Sequence, residues 1–129
     1  MVKWIHIADV HLGASPDAGD AYSKVRPQEL WDTFAEVIDI CEREQTDLLL
    51  IAGDLFHRQP LKKELKEVDY YFSRLSRTKV VLIAGNHDFL KKDSYYRSFQ
   101  WSSNVYPLFD KEPECVIFEE LDVAVTGFS

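Results

Sequence analysis

Three short apolar runs, Trp4–Ala8 (WIHIA), Leu48–Ala52 (LLLIA) and Val80–Ala84 (VVLIA), constrain the fold of this chain most strongly. None alternates cleanly with polar residues. That is the pattern of strands covered on both faces, which are characteristic of parallel sheets. Parallel neighbours need a long crossover, and the two intervening segments have helical periodicity. Gln28–Glu44 places Leu30, Phe34, Val37, Ile38 and Cys41 on one face, with Pro27 near the helix start. Lys63–Arg77 repeats the pattern with Leu65, Val68, Phe72 and Leu75. The order β–α–β–α–β with right-handed crossovers predicts an α/β fold, a parallel sheet with flanking helices. Further on, Ser94–Trp101 reads as a short helix and Val105–Leu108 as a short strand. Val116–Glu120 and Val123–Gly127, joined through Leu121 and Asp122, read as an antiparallel hairpin.

All three strands end in residues that can bind metal. The first runs into Asp9-Val10-His11, the second into Gly53-Asp54, and the third into Gly85-Asn86-His87-Asp88. In an open α/β sheet the C-terminal strand ends share one edge, where ligands bind, so these distant segments become neighbours. Carboxylate, imidazole and amide donors without thiolates suit Mn²⁺, Fe or Zn²⁺ and argue against a structural zinc cage. Gly53 and Gly85 permit tight turns and close backbone approach. Asp54, between the other two loops, can bridge two metals about 3.5–4 Å apart, a pair that clamps a phosphate and activates water.

These motifs resemble the first three motifs of the calcineurin-like metallophosphoesterases. The phrases IADVHLG and IAGDLFH are more similar still to the nuclease subunit of the double-strand-break repair complex, the SbcD type. The resemblance implies that Asp9, His11 and Asp54 bind one ion and that Asp54 and Asn86 bind a second, with manganese as the expected metal. It also implies that His87 is catalytic, and an imidazole suits that role because it titrates near neutrality. His57 stands where related protein phosphatases carry Asp, and this turns the reading from phosphatase towards nuclease, with His57 against the scissile phosphate or positioning a strand. The implied fold is the N-terminal half of a four-layer sandwich. The implied partners are DNA, an SMC-like ATPase (SbcC type) and a second copy of the intact enzyme. The competing readings are a phosphatase or cyclic-nucleotide phosphodiesterase, and a non-catalytic scaffold.

The family's two later motifs, a lone His and a Gly-His-x-His, have no match, since no His follows His87. The expectation is therefore that residues 1–129 form a single truncated domain, inactive alone, with exposed apolar surface that favours association.

Composition limits the alternatives. A formal charge of −7 counts against binding nucleic acid by phosphate neutralisation alone, although a local groove can oppose the net value. No signal-peptide pattern opens the sequence and no apolar stretch approaches about 18 residues, so a cytoplasmic protein is expected, with no membrane contact. Cys41 reads as a buried thiol on a helix face. Several residues have plainer readings. His6 is expected to be a structural imidazole, and Tyr95, Tyr96, Phe99, Trp101 and Tyr106 are expected to be core. Arg58, Lys62 and Lys63 suit a phosphate backbone or a solvated helix start equally well. Asp88 is open to two roles, orienting the His87 ring or capping the next helix.

Overall fold

The computed structural model describes residues 1–14 and 20–129, and over 20–26 it describes the helical backbone alone. Four parallel strands, β1 (Trp4–Ile7), β2 (Leu48–Ala52), β3 (Lys79–Ile83) and β4 (Val105–Pro107), lie in the order β1-β2-β3-β4. The connections β1–β2 and β2–β3 carry helices α1 (Asp20–Arg43) and α2 (Lys62–Ser73), and α3 (Tyr95–Ser98) precedes β4. A separate antiparallel pair follows, β5 (Glu114–Phe118) and β6 (Val123–Gly127).

Register explains the layering. Ile5 pairs with Leu49 and Ile7 with Ile51; Leu49 pairs with Val80 and Ile51 with Leu82. Side chains alternate along a strand, so these residues all face one side. There they meet Phe34, Ile38 and Cys41 of α1 and Leu65, Val68 and Phe72 of α2 in the main core. Leu48, Leu50, Val81, Ile83 and Tyr106 take the other face and pack on the hairpin residues Phe118, Val116, Val123 and Val125. The hairpin comes close: a Cβ at Gly127 would lie 3.1 Å from Leu108 Cδ1.

Several expectations change. Strand β1 is not covered on both faces: it is an edge strand beyond the main cover of the hairpin, and Trp4 and His6 are exposed. His6 is therefore not the structural imidazole expected. Helix α1 begins at Asp20, ahead of the expected start near Pro27, which lies inside it; residues 15–19 lie outside the described residues. Strand β5 starts at Glu114 and ends at Phe118, before the expected Glu120, because Glu119–Leu121 forms a 3₁₀ turn closed by Asp122 in the left-handed region at φ 54°, a conformation Asp tolerates. The helix predicted over Ser94–Trp101 is one turn long, capped by the Ser94 hydroxyl, which accepts the Tyr96 amide. Of the five aromatics, Tyr96 is fully buried while Tyr95 is exposed beneath the Lys62 ammonium, 4.8 Å from its ring centroid.

Candidate active site

The loops that leave β1 and β2 are laced by backbone bonds that extend the parallel pairing past the strands. The amides of Asp9, His11 and Leu12 donate to the carbonyls of Gly53, Asp54 and Leu55 at 3.2, 3.0 and 2.8 Å, and the His57 amide donates to the Leu12 carbonyl at 2.9 Å. Leu12, Leu55 and Phe56 are fully buried and anchor this lacing in the core. The chain must kink to do it. Asp9, His11 and Asp54 all take positive φ, at 55°, 55° and 51°. Each costs roughly 1 kcal/mol for an L-residue and persists only because its surroundings fix it. Gly53, at φ 85°, absorbs the sharpest turn between them.

The third loop is fastened onto the second. The buried Asp88 carboxylate accepts the Gly85 amide at 2.7 Å and the Phe56 amide at 3.1 Å. The His87 amide donates to Asp54 Oδ1 at 2.9 Å. Asp88 therefore neither orients the His87 ring nor caps a helix; it joins two loops. Burial pushes its carboxyl above the usual carboxylate range, against the pull of the Phe56 and Gly85 amides, and the Asp54 charge adds to the rise. Gly85 is required at the junction, since a Cβ there would lie 2.6 Å from the Asp54 backbone nitrogen and closer still to its carboxylate.

Two groups of donors result, and they share one residue. The carboxylates of Asp9 and Asp54 and the imidazole of His11 each offer a ligand atom, all within 4.8 Å of one another. His11, His57 and His87 do the same. Asp54 is buried, Asp9, His57 and His87 are exposed, and His11 is half-buried. The His57 and His87 rings stack, with centroids 4.8 Å apart and an interplanar angle of 18°, and both meet His11 edge-on. Asn86 stands exposed in the third loop, between Gly85 and His87. The structure thus gathers Asp9, His11, Asp54, His57 and His87 at one edge, with Asn86 beside them. Carboxylate oxygens with a neutral imidazole are a fitting donor set for a divalent ion.

Sequence reasoning missed Gln59. Its amide nitrogen donates to the Phe89 carbonyl at 2.7 Å and its oxygen accepts from the Ser94 hydroxyl at 3.0 Å, tying the chain after the second motif to the chain after the third. A lone glutamine in a polar stretch carries no sequence signal for such a clamp. The Arg58 guanidinium grips Glu64 at 3.0 and 3.3 Å, and Glu64 also accepts the Leu61 amide, which places Arg58 at the start of α2 with its side chain half exposed.

This parallel sheet, with donors at its C-terminal edge, defines a metallophosphoesterase fold. The calcineurin-like phosphoesterase family model matches residues 2–127, and the chain belongs to that family. It is 32% identical over 99 residues to the DNA double-strand break repair protein Mre11 of Saccharolobus solfataricus, a match covering 74% of this chain and 25% of that protein. It is 36% identical over 92 residues to Mre11 of Sulfurisphaera tokodaii (68% of this chain, 22% of that protein). The metallophosphoesterase YhaO of Bacillus subtilis is 35% identical over 125 residues (88% of this chain, 29% of that protein). The chain therefore spans less than a third of the length of these relatives. Among solved structures, the nuclease MPE of Pseudomonas putida shares the fold with a TM-score of 0.51 and 21% identity, covering 90% of this chain and 50% of that one.

Proposed function

We propose that the protein containing this chain is a metal-dependent DNA nuclease of the repair type, with residues 1–129 as one part of its phosphoesterase domain. The observation that carries the reading is the convergence of Asp9, His11 and Asp54 within 4.8 Å at the C-terminal sheet edge, beside two further imidazoles. On this reading Asp9, His11 and Asp54 hold one divalent ion, and Asp54 with Asn86 holds the other, manganese being the proposed metal. When bound there, divalent ions would supply Lewis-acid polarisation of the phosphoryl oxygens and lower the pKa of a coordinated water. His87 protonates the leaving oxygen, and His57, stacked on it, holds the phosphate or strand against it. The 2.9 Å bond from the His87 backbone amide to Asp54 Oδ1 ties the third loop to the carboxylate proposed to hold metal.

The kinship with DNA double-strand break repair proteins supports DNA as substrate. An SMC-like ATPase of the SbcC type as partner, dimerisation of the intact protein and work in the cytoplasm belong to the same proposal and rest on the resemblance of the sequence motifs. Among the described residues no helix is long and apolar enough to cross a membrane. The 129-residue chain alone, with few side-chain donors per ion, is expected to hydrolyse phosphodiesters poorly or not at all. The test is to assay the full-length protein with Mn²⁺ on linear DNA, a cyclic nucleotide and an aryl phosphate, beside its His87→Gln variant. Turnover of DNA that the variant loses supports the nuclease. Turnover of only the small substrates replaces it with a phosphatase or cyclic-nucleotide phosphodiesterase, and no turnover with no Mn²⁺ binding leaves a scaffold.

A further inference from the structure

The two donor groups compete for His11, and their chemistries differ. Asp9–His11–Asp54 is mostly carboxylate, whereas His11–His57–His87 is entirely imidazole. We infer that His11, His57 and His87 form a second, mutually exclusive site for a borderline transition metal such as Zn²⁺. The geometry points to it. Two nitrogens bound to a tetrahedral zinc at about 2.05 Å stand about 3.3 Å apart. His11 Nδ1 and His57 Nδ1 are 3.4 Å apart. One ring nitrogen from each of the three histidines lies within 4.8 Å of those of the other two. His87 and His57 are exposed, so rotation of the ring closes the remaining gap and solvent supplies the fourth position.

Imidazole suits zinc better than manganese, and zinc lies above manganese in affinity for a given nitrogen site, so the two ions choose different donor sets. Zinc seated on the trio withdraws His11 from the carboxylates and ties up the two rings that face phosphate. Zn²⁺ is therefore an antagonist of the manganese form. That consequence for turnover rests on the reading of the preceding subsection; the zinc site itself does not.

Zn²⁺ and Mn²⁺ titrations of the 129-residue chain by calorimetry test this, with folding of each variant checked by circular dichroism. His57→Gln and His87→Gln are each expected to weaken Zn²⁺ by about a hundredfold or more, exceeding the ~10–100-fold loss typical when only an outer partner is removed. Both should bind Mn²⁺ as the parent does. Asp9→Asn and Asp54→Asn should show the reverse preference. Zinc affinity that falls with the aspartates but not with His57 and His87 overturns the proposal, as does equal weakening by all four variants. In the unsubstituted chain, long-range ¹H–¹⁵N spectra on adding one equivalent of Zn²⁺ should shift the imidazole nitrogens of His11, His57 and His87. The fourth histidine, His6, should stay unmoved. Unmoved His57 and His87 signals refute the trio even if a variant fails to fold. Mn²⁺ binding indifferent to Asp9 and Asp54 would instead remove the preceding reading and leave the zinc trio standing.

Discussion

The two ends of the parallel sheet treat their polar residues in opposite ways. At the N-terminal end the Thr78 hydroxyl donates to the Thr46 carbonyl at 2.6 Å, and the Asn104 amide donates to the carbonyls of Phe72 and Thr78. Asp47 accepts the Lys3 amide and the Arg77 guanidinium, which together hold its carboxyl below the usual carboxylate range. These side chains close the ends of strands. At the C-terminal end Asp9, His11 and Asp54 sit in a conformation L-residues avoid, and Asp9, His57 and His87 turn toward solvent. Neither strain nor backbone service separates the ends alone, since Gln45 before β2 also takes positive φ, at 50°, and Asp88 serves two amides at the C-terminal end. What distinguishes that end is that its strained residues bring metal-binding donors together.

The largest break in this comparison should come from Gly85→Ala. The added Cβ meets the Asp54 backbone, which cannot yield as a flexible side chain would. The second and third loops must part, at a cost of roughly 3 kcal/mol or more. Urea denaturation should show that loss, and Mn²⁺ affinity should fall with it. A variant as stable as the parent would mean the two loops are not locked together. Next in size is Asp88→Asn, which leaves one oxygen to serve the Gly85 and Phe56 amides and turns an amide donor toward the other. A loss of about 2 kcal/mol is expected, from one buried donor left unsatisfied, together with greater mobility of the His87 signals in NMR relaxation.

How much of this was legible in the sequence follows the same division. The strands, both long helices and their buried faces were readable because periodicity records burial directly: Phe34, Ile38, Leu65, Val68 and Phe72 all sit where the spacing put them. The gathering of Asp9, His11, Asp54 and His87 was readable because parallel topology brings the strand ends to one edge. Asp88 was misread, since its role depends on the Phe56 amide, a partner supplied by another loop and invisible to local spacing. The start of α1 before Pro27 was missed because a proline within a helical pattern normally marks its first turn. The exposure of Trp4 depends on what covers an edge strand, which no local pattern encodes.

The N-terminal end should respond differently. Thr78→Val keeps the shape of this buried residue but leaves the Thr46 carbonyl without its hydroxyl, at a cost of about 1 kcal/mol. Mn²⁺ and Zn²⁺ affinities should be unchanged. Altered metal binding in this variant would mean that the two ends are energetically coupled, and the contrast drawn above would be too sharp.

The smallest effect concerns the helix face behind the sheet. Cys41 is buried and burial raises its thiol to about 11, whereas Cys115 is exposed. A thiol raised in the folded state favours folding below its unfolded value and loses that contribution as pH climbs, so the effect of Cys41 fades between about pH 9 and 11. At pH 8 a disulfide reagent should modify Cys115 at once and Cys41 only at the rate of opening of the α1 core. Equal reactivity of both thiols would show that α1 leaves the sheet easily. Because α1 connects the first and second strand-end motifs, such opening would also loosen the edge where Asp9 and Asp54 meet. Slow modification of Cys41 in the Gly85→Ala variant would then place the damage in the loops alone, with the helical layer beneath them intact.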